Sequence, residues 1–337
     1  MPERFEWVPD VSRGEWLRPM EAEPFGSILS VVPPGFGAYA RVFHPVDRDR
    51  PHVTKTWQGL DEYAFFEGDE DIESSLETEL ASWATASASF GTTVHAEAQY
   101  ARLLRCDYGD AEVIAPDGWR YGSPPEGRID AASLAAASAV LARHTTTPDA
   151  GVAAIWEGWG GLVSSAGVAY LTFEAVDEPD RGIIASLSDR IVARARRWSI
   201  RTRSRFLPRF RLFPREPEPG TGVLSAEAAR GPRFDLHGDT GRHYVLFEAG
   251  ANDFADAAWP ESAPWVDQAR WAQSPSILWP EDHAWVLATE IDFDSTLVAG
   301  STELIRELMQ TPGLEVLPIR EDADLSWDGD RVNLLDA

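Results

Sequence analysis

A chain of 337 residues, 44% of them apolar and 25% charged, is long enough to bury a substantial core, and its single cysteine, Cys106, excludes an intrachain disulfide or a thiolate-held metal cluster. Its 55 acidic residues against 30 basic ones leave a formal charge of −25, which repels phosphate backbones and anionic lipid and argues against a nucleic-acid or membrane partner. MPERFEWVPD at the N-terminus lacks the basic start and apolar run of a signal peptide, and no stretch approaches the ~20 apolar residues that span a bilayer, so a cytoplasmic protein is expected.

In chain order, ILSVV (28–32) and AYARVFH (38–44) have strand-like content and are joined by Pro33, Pro34, Gly35 and Gly37, which predicts an early strand pair. From Asp61 to Glu79 nine residues are acidic and none basic, which predicts a solvated loop before Ser74. From Ser74, a capping-box spacing to Glu77 and the series Leu76, Leu80, Trp83 predict a helix. A second helix is expected over 95–105, with His95 near its start as a surface or capping residue. Asp130 is a good N-cap for an alanine-rich helix that ends near Arg143 and buries Leu134 and Leu141. After the turn at Pro148 and Asp149, a short buried strand runs through Ile155 into a glycine-loosened loop where Trp156 and Trp159 pack.

Residues 183–198 read as an amphipathic helix, with Ile184, Leu187, Ile191, Ala195 and Trp198 on one stripe. Ten arginines and no acid lie between Arg190 and Arg215, and Arg201, Arg203 and Arg205 alternate, so an extended chain would present them as a comb. In a chain of this negative charge, such a belt is expected to fold back onto the protein's own acids. Pro214, Pro217, Pro219, Gly220 and Gly222 then mark a linker. Beyond it, FDLH and HYVLFE flank Gly238-Asp239-Thr240-Gly241 and predict a hairpin that gathers Asp235, His237, Asp239 and His243, a set with no established metal-ligand spacing.

In WPEDHAWVLATEIDFDST (279–296), period-2 alternation puts Trp285, Leu287, Thr289, Ile291 and Phe293 on one strand face and Val286, Ala288, Glu290, Asp292 and Asp294 on the other. At ~3.3 Å per residue the three carboxylates would span roughly 13 Å, too far for one metal to take all three. Two of them, with oxygens from elsewhere, suit a divalent ion or a general acid and base, which makes Glu290, Asp292 and Asp294 the candidate metal or catalytic residues. The competing expectation is that they pair with Arg201, Arg203 or Arg205. The helix TELIRELM and the strand LEVLPI follow, a β-α-β unit that predicts a parallel strand pair.

Three stretches, GFGAYARVFHP (35–45), TPDAGVAAIWEGWG (147–160) and WPEDHAWVLATEIDFDSTLVAGS (279–301), together resemble a family of uncharacterised actinobacterial proteins over most of the chain. The resemblance implies a cytoplasmic protein of a GC-rich bacterium, and brings with it no reaction, cofactor or catalytic residue. The last two stretches also share a Pro-acid turn, a short apolar strand and a glutamate, Glu157 or Glu290, a weak sign of duplication.

The expected architecture is α+β: a mixed sheet with hairpins and at least one β-α-β crossover, covered by helices. An N-terminal lobe (1–180), an Arg-rich helix and linker (181–222) and a C-terminal lobe (223–337) are expected to pack as one unit. No GxSxG elbow, HExxH pair, Walker loop or dinucleotide fingerprint is present. A non-catalytic binding or regulatory protein with a protein or small-molecule partner is therefore the leading expectation. The alternative is a metal-assisted or carboxylate-based hydrolase using Glu290, Asp292 and Asp294.

Overall fold

Small and β-branched residues in AYARVF form the strand expected there, and the structure, a computed structural model, describes residues 4–61, 65, 72–107, 112–165, 218–236 and 242–334. The first seven strands are β1 (Trp7–Val8), β2 (Ala38–Phe43), β3 (Val46–Pro51), β4 (Leu76–Ala81), β5 (Val113–Ile114), β6 (Arg120–Tyr121) and β7 (Gly151–Trp156). The rest are β8 (Phe234–Asp235), β9 (His243–Glu248), β10 (Ile277–Pro280), β11 (Val286–Ala288), β12 (Ser295–Gly300) and β13 (Glu315–Ile319). The helices that bear on the argument are α1 (Trp83–Phe90), α2 (Ala131–Leu141) and α3 (Thr302–Leu308).

The fold is α+β. One sheet runs β1-β9-β7-β10-β11-β12-β2-β13, with β8 also on β9, and a smaller one runs β4-β3-β6-β5. Strands from the two ends of the sequence interleave in the larger sheet: β2, from the first fifty residues, lies between β12 and β13. Both its faces are covered. Ala40, Val42, Ile155, Phe247, Leu287 and Val298 pack under α2 and α3 with Trp259 and Trp265, while Val152, Leu246, Val286, Leu297 and Ala299 pack against Leu17, Met20 and Ile28. Burial on both faces is why GVAAI and STLVAG read as continuous apolar runs rather than alternating ones.

Close backbone approach fixes one position in β7. A Cβ on Gly151 would stand 2.2 Å from Trp279 O and 2.8 Å from Pro280 Cα, backbone atoms of the neighbouring strand that cannot swing away. Gly151→Ala is expected to cost about 1–3 kcal/mol by overpacking, read from the urea midpoint. An unchanged midpoint would mean that β7 and β10 are not in this register.

Side-chain caps place the helices where the sequence puts them. Asp130 accepts from Ala132 N at 3.0 Å and Ser133 N at 2.9 Å, and Ser301 accepts from Leu304 N at 3.1 Å. Leu304, Ile305 and Leu308 are buried. The β12-α3-β13 unit is present, but its strands do not pair: each is antiparallel to β2, which lies between them. The parallel pair expected from sequence is thus split by a strand some 250 residues upstream, which no local pattern announces.

Three other elements differ from the expectation. ILSVV is a 3-10 turn at Ile28–Ser30. The helix expected from Ser74 is instead strand β4, with Leu80 68% exposed, because Glu77 and Glu79 stand opposite Arg50 and Arg48 of β3 and make cross-strand ion pairs. Those partners lie about 27 residues away, beyond the reach of an i, i+4 reading. In 95–105 only Tyr100–Leu103 is helical. The amphipathic segment 183–198 lies outside the described residues.

Candidate functional site

Antiparallel pairing sets the end of β7, the start of β9, the end of β11, the start of β12 and the end of β2 along one rim of the larger sheet. Glu157, Arg242, Asp294 and His44 flank these strand ends directly, His243 opens β9, and Glu290 and Asp292 lie in the turn between β11 and β12. Glu157 and Glu290, matched in the two similar sequence stretches, both stand just beyond strand ends at this rim.

The acidic triplet is not a strand face. β11 ends at Ala288, and Thr289 to Asp294 form the turn of a hairpin whose return strand is β12. Glu290 folds back to accept from Asp292 N at 2.6 Å, and Phe293 N donates to Glu290 O at 3.0 Å. Phe293 consequently joins Val286 and Ala288 in their core, on the face opposite the one that alternation assigns it. The reason is competition: STLVAG buries all six of its residues by turning back, a larger gain than prolonging an acidic strand.

Arginines do pair with these acids. Arg242 Nε lies 2.9 Å from Glu290 Oε1 and its Nη2 2.8 Å from Asp292 Oδ2, so one guanidinium bridges both carboxylates. Asp294 Oδ1 accepts instead from Arg41 Nη2 at 3.1 Å. Burial raises the pKa of Glu290, opposed by the Asp292 backbone and the Arg242 charge. Arg201, Arg203 and Arg205, expected to play this part, lie outside the described residues.

Beneath the rim is a buried polar layer. Arg41, 2% exposed, donates from Nε to Ser295 Oγ at 2.7 Å and from Nη1 to Ala96 O at 3.0 Å and Ala98 O at 2.7 Å. His44 is fully buried, and burial pushes its pKa down to about 4, so its ring is neutral near pH 7. Its Nδ1 lies 2.7 Å from Pro125 O, which only accepts, so Nδ1 carries the proton; Nε2, 2.9 Å away from Thr296 Oγ1, accepts. Every group in this layer is spent internally, as burial requires.

Beside the Arg242 bridge, Glu157 Oε2 accepts from Arg233 Nε at 2.8 Å and Glu157 Oε1 lies 3.1 Å from His243 Nδ1. Arg233 is itself held by the carbonyls of Ala229 and Gly231, both at 2.7 Å. His243 Nε2 lies 4.0 Å from Asp235 Oδ1, its cross-strand neighbour in the hairpin expected from sequence. His237 and Asp239, the other two residues of that set, lie outside the described residues. Among the described residues, no group of three or more His, Cys, Asp or Glu side chains is arranged to hold a metal ion.

Sequence reasoning missed the residues that tie the C-terminal segment down. Asp330 is fully buried and accepts from His95 Nε2 at 2.9 Å, Gln99 N at 3.0 Å and Asn333 N at 2.9 Å. His95, expected on the surface or at a cap, is thus a partner of a carboxylate 235 residues away. The Asp-x-x-Asn spacing of 330–333 was the available signal, since an aspartate that accepts from the backbone two and three residues on is a turn former.

No helix among the described residues is long and apolar enough to cross a membrane. No protein-family model matches the chain, and neither a curated protein nor a solved structure does.

Proposed function

We propose that this is a non-catalytic binding or regulatory protein, working in the cytoplasm. The observation that supports it is the Arg242 guanidinium, within 2.9 Å of both Glu290 and Asp292. A divalent ion shared by those carboxylates would have to displace a bound cation already in place between them. A general base drawn from the same pair would lose the arginine's charge as it took up its proton. Asp294, turned toward Arg41, is not free to assist.

Calorimetric titration of Mg2+, Mn2+ and Zn2+ into the parent and Asp292→Asn tests this reading. The two proteins are expected to give indistinguishable heats. Binding of any of these ions by the parent that weakens about tenfold in Asp292→Asn would instead install the hydrolase alternative at Glu290, Asp292 and Asp294.

A further inference from the structure

Between helix α1 and the smaller sheet lies a shallow, largely open depression of about 810 Å³. Ala84, Ala88 and Pro116, all exposed, give it an apolar patch, while Arg48, Thr85, Ser89 and Asp117 supply its polar edge. Three of them, Arg48, Ser89 and Asp117, are linked through Tyr121 in one directed chain. Arg48 Nη1 donates to the Tyr121 hydroxyl at 2.7 Å, that hydroxyl lies 2.8 Å from Ser89 Oγ, and Ser89 Oγ donates to Asp117 Oδ2 at 2.7 Å. A guanidinium only donates and a carboxylate only accepts, so each intervening hydroxyl passes its single proton toward Asp117.

The chain is held from behind. Tyr121 is fully buried, and the Arg48 guanidinium lies 4.2 Å from the Trp119 ring centroid while its Nε donates to Glu79 at 2.8 Å. Asp117 Oδ1 accepts from Trp119 N at 3.1 Å. These contacts, with a second one from Arg48 Nη2 to Glu79, use three of the five guanidinium N–H groups and one acceptor site on each Asp117 oxygen. Two Arg48 donors and further Asp117 lone pairs remain unspent, beside an apolar patch.

A donor and an acceptor held beside such an apolar patch suit adjacent hydroxyls on a ring: one would donate to Asp117, its neighbour accept from Arg48, and the C–H face rest on Ala84, Ala88 and Pro116. Anionic ligands are disfavoured, because Glu79 and Asp117 together outweigh Arg48. We infer that this cleft binds a neutral vicinal diol, the chemistry shared by a monosaccharide and the ribose of a nucleoside. The inference rests on the binding-protein reading and gives it a site and a ligand class.

Saturation-transfer NMR and calorimetry on the full chain, with methyl glucoside, methyl mannoside, adenosine and 2′-deoxyadenosine, test it. Binding of a glycoside identifies a sugar site; binding of adenosine but not its 2′-deoxy form identifies a ribose site. In either case Asp117→Asn is expected to weaken binding about tenfold or more, as loss of a charged hydrogen bond does, and Ala88→Phe, which fills the cleft from an exposed position, to abolish it. Glu303→Gln, exposed on α3, should leave it unchanged. No binding of any diol by the parent, or binding indifferent to Asp117→Asn, overturns the inference. Circular dichroism checks that Ala88→Phe folds; if it does not, Asp117→Asn decides alone. The metal titration reads the parent proposal separately, so Asp292-dependent metal binding sinks the binding-protein reading, whereas diol-negative results with a flat metal titration sink only the cleft.

Discussion

Arg41→Met is expected to destabilise the protein by about 3–5 kcal/mol, because it strands several hydrogen-bond partners at once, each worth about 1–3 kcal/mol when buried and unpaired. The substitution keeps much of the apolar stem but leaves Asp294, Ser295 Oγ and the carbonyls of Ala96 and Ala98 without the donors that hold them within 3.1 Å. It also removes a cation whose guanidinium carbon lies 4.9 Å from the Phe43 ring centroid and 5.1 Å from that of Trp83. At about 2.1 cal/mol/K of unfolding entropy per residue, each kcal/mol moves the melting temperature of a 337-residue chain by about 1.4 °C, so the midpoint should fall by roughly 4–7 °C. Because the guanidinium and its carbonyl and hydroxyl partners are out of solvent, the deficit should persist at high salt, where surface pairs are screened. A loss under about 1 kcal/mol in urea titrations would show that the layer beneath the rim is wet and replaceable.

Asp330→Ala is expected to cost about 2–4 kcal/mol, since it strands several buried donors at once, each worth about 1–3 kcal/mol when left unpaired. The same carboxylate predicts an acid limb. Burial pushes its pKa up, but hydrogen bonds from the Asn333 and Gln99 backbones, the Asn333 side chain and His95 outweigh burial and hold it at about 2, below the ordinary 3.8. A carboxyl more acidic in the folded state stabilises fully above its unfolded pKa and loses that contribution as pH falls through the folded one. Stability conferred by Asp330 should therefore be complete above about pH 4 and vanish toward pH 2, a difference on the order of 2 kcal/mol. Denaturant midpoints of the parent and Asp330→Asn, followed from pH 6 to pH 2, check it. Their difference should narrow across the window; parallel curves would assign the acid limb to other groups.

Both predictions concern residues that sequence reading passed over, and the reason is the same in each. Arg41 stands in a stretch correctly read as a strand, and His95 in one misread as a helix, yet the carboxylate partners of both lie more than 230 residues downstream. Hydrophobic period and capping chemistry are local, whereas a buried charge is explained only by what folds against it. The β4 strand shows the same limit from the other side: its leucines fit a helical stripe with Trp83 of α1, and only the opposing arginines of β3 reveal the strand. At the acidic turn the expectation named Arg201, Arg203 and Arg205, which lie outside the described residues; Arg242 and Arg41, which pair with these carboxylates, were not singled out.

What the sequence by itself determined is the α+β class, strands β2 and β7, the β8–β9 hairpin and helices α2 and α3, because each rests on a cap, a turn residue or an apolar run that works within about ten residues. Tertiary structure alone decided that β2 enters between β12 and β13, that Glu290 to Asp294 form a turn, and that Asp330 anchors the chain's end. These depend on which distant surfaces exclude water together, and burial is a property of the assembled chain rather than of any segment.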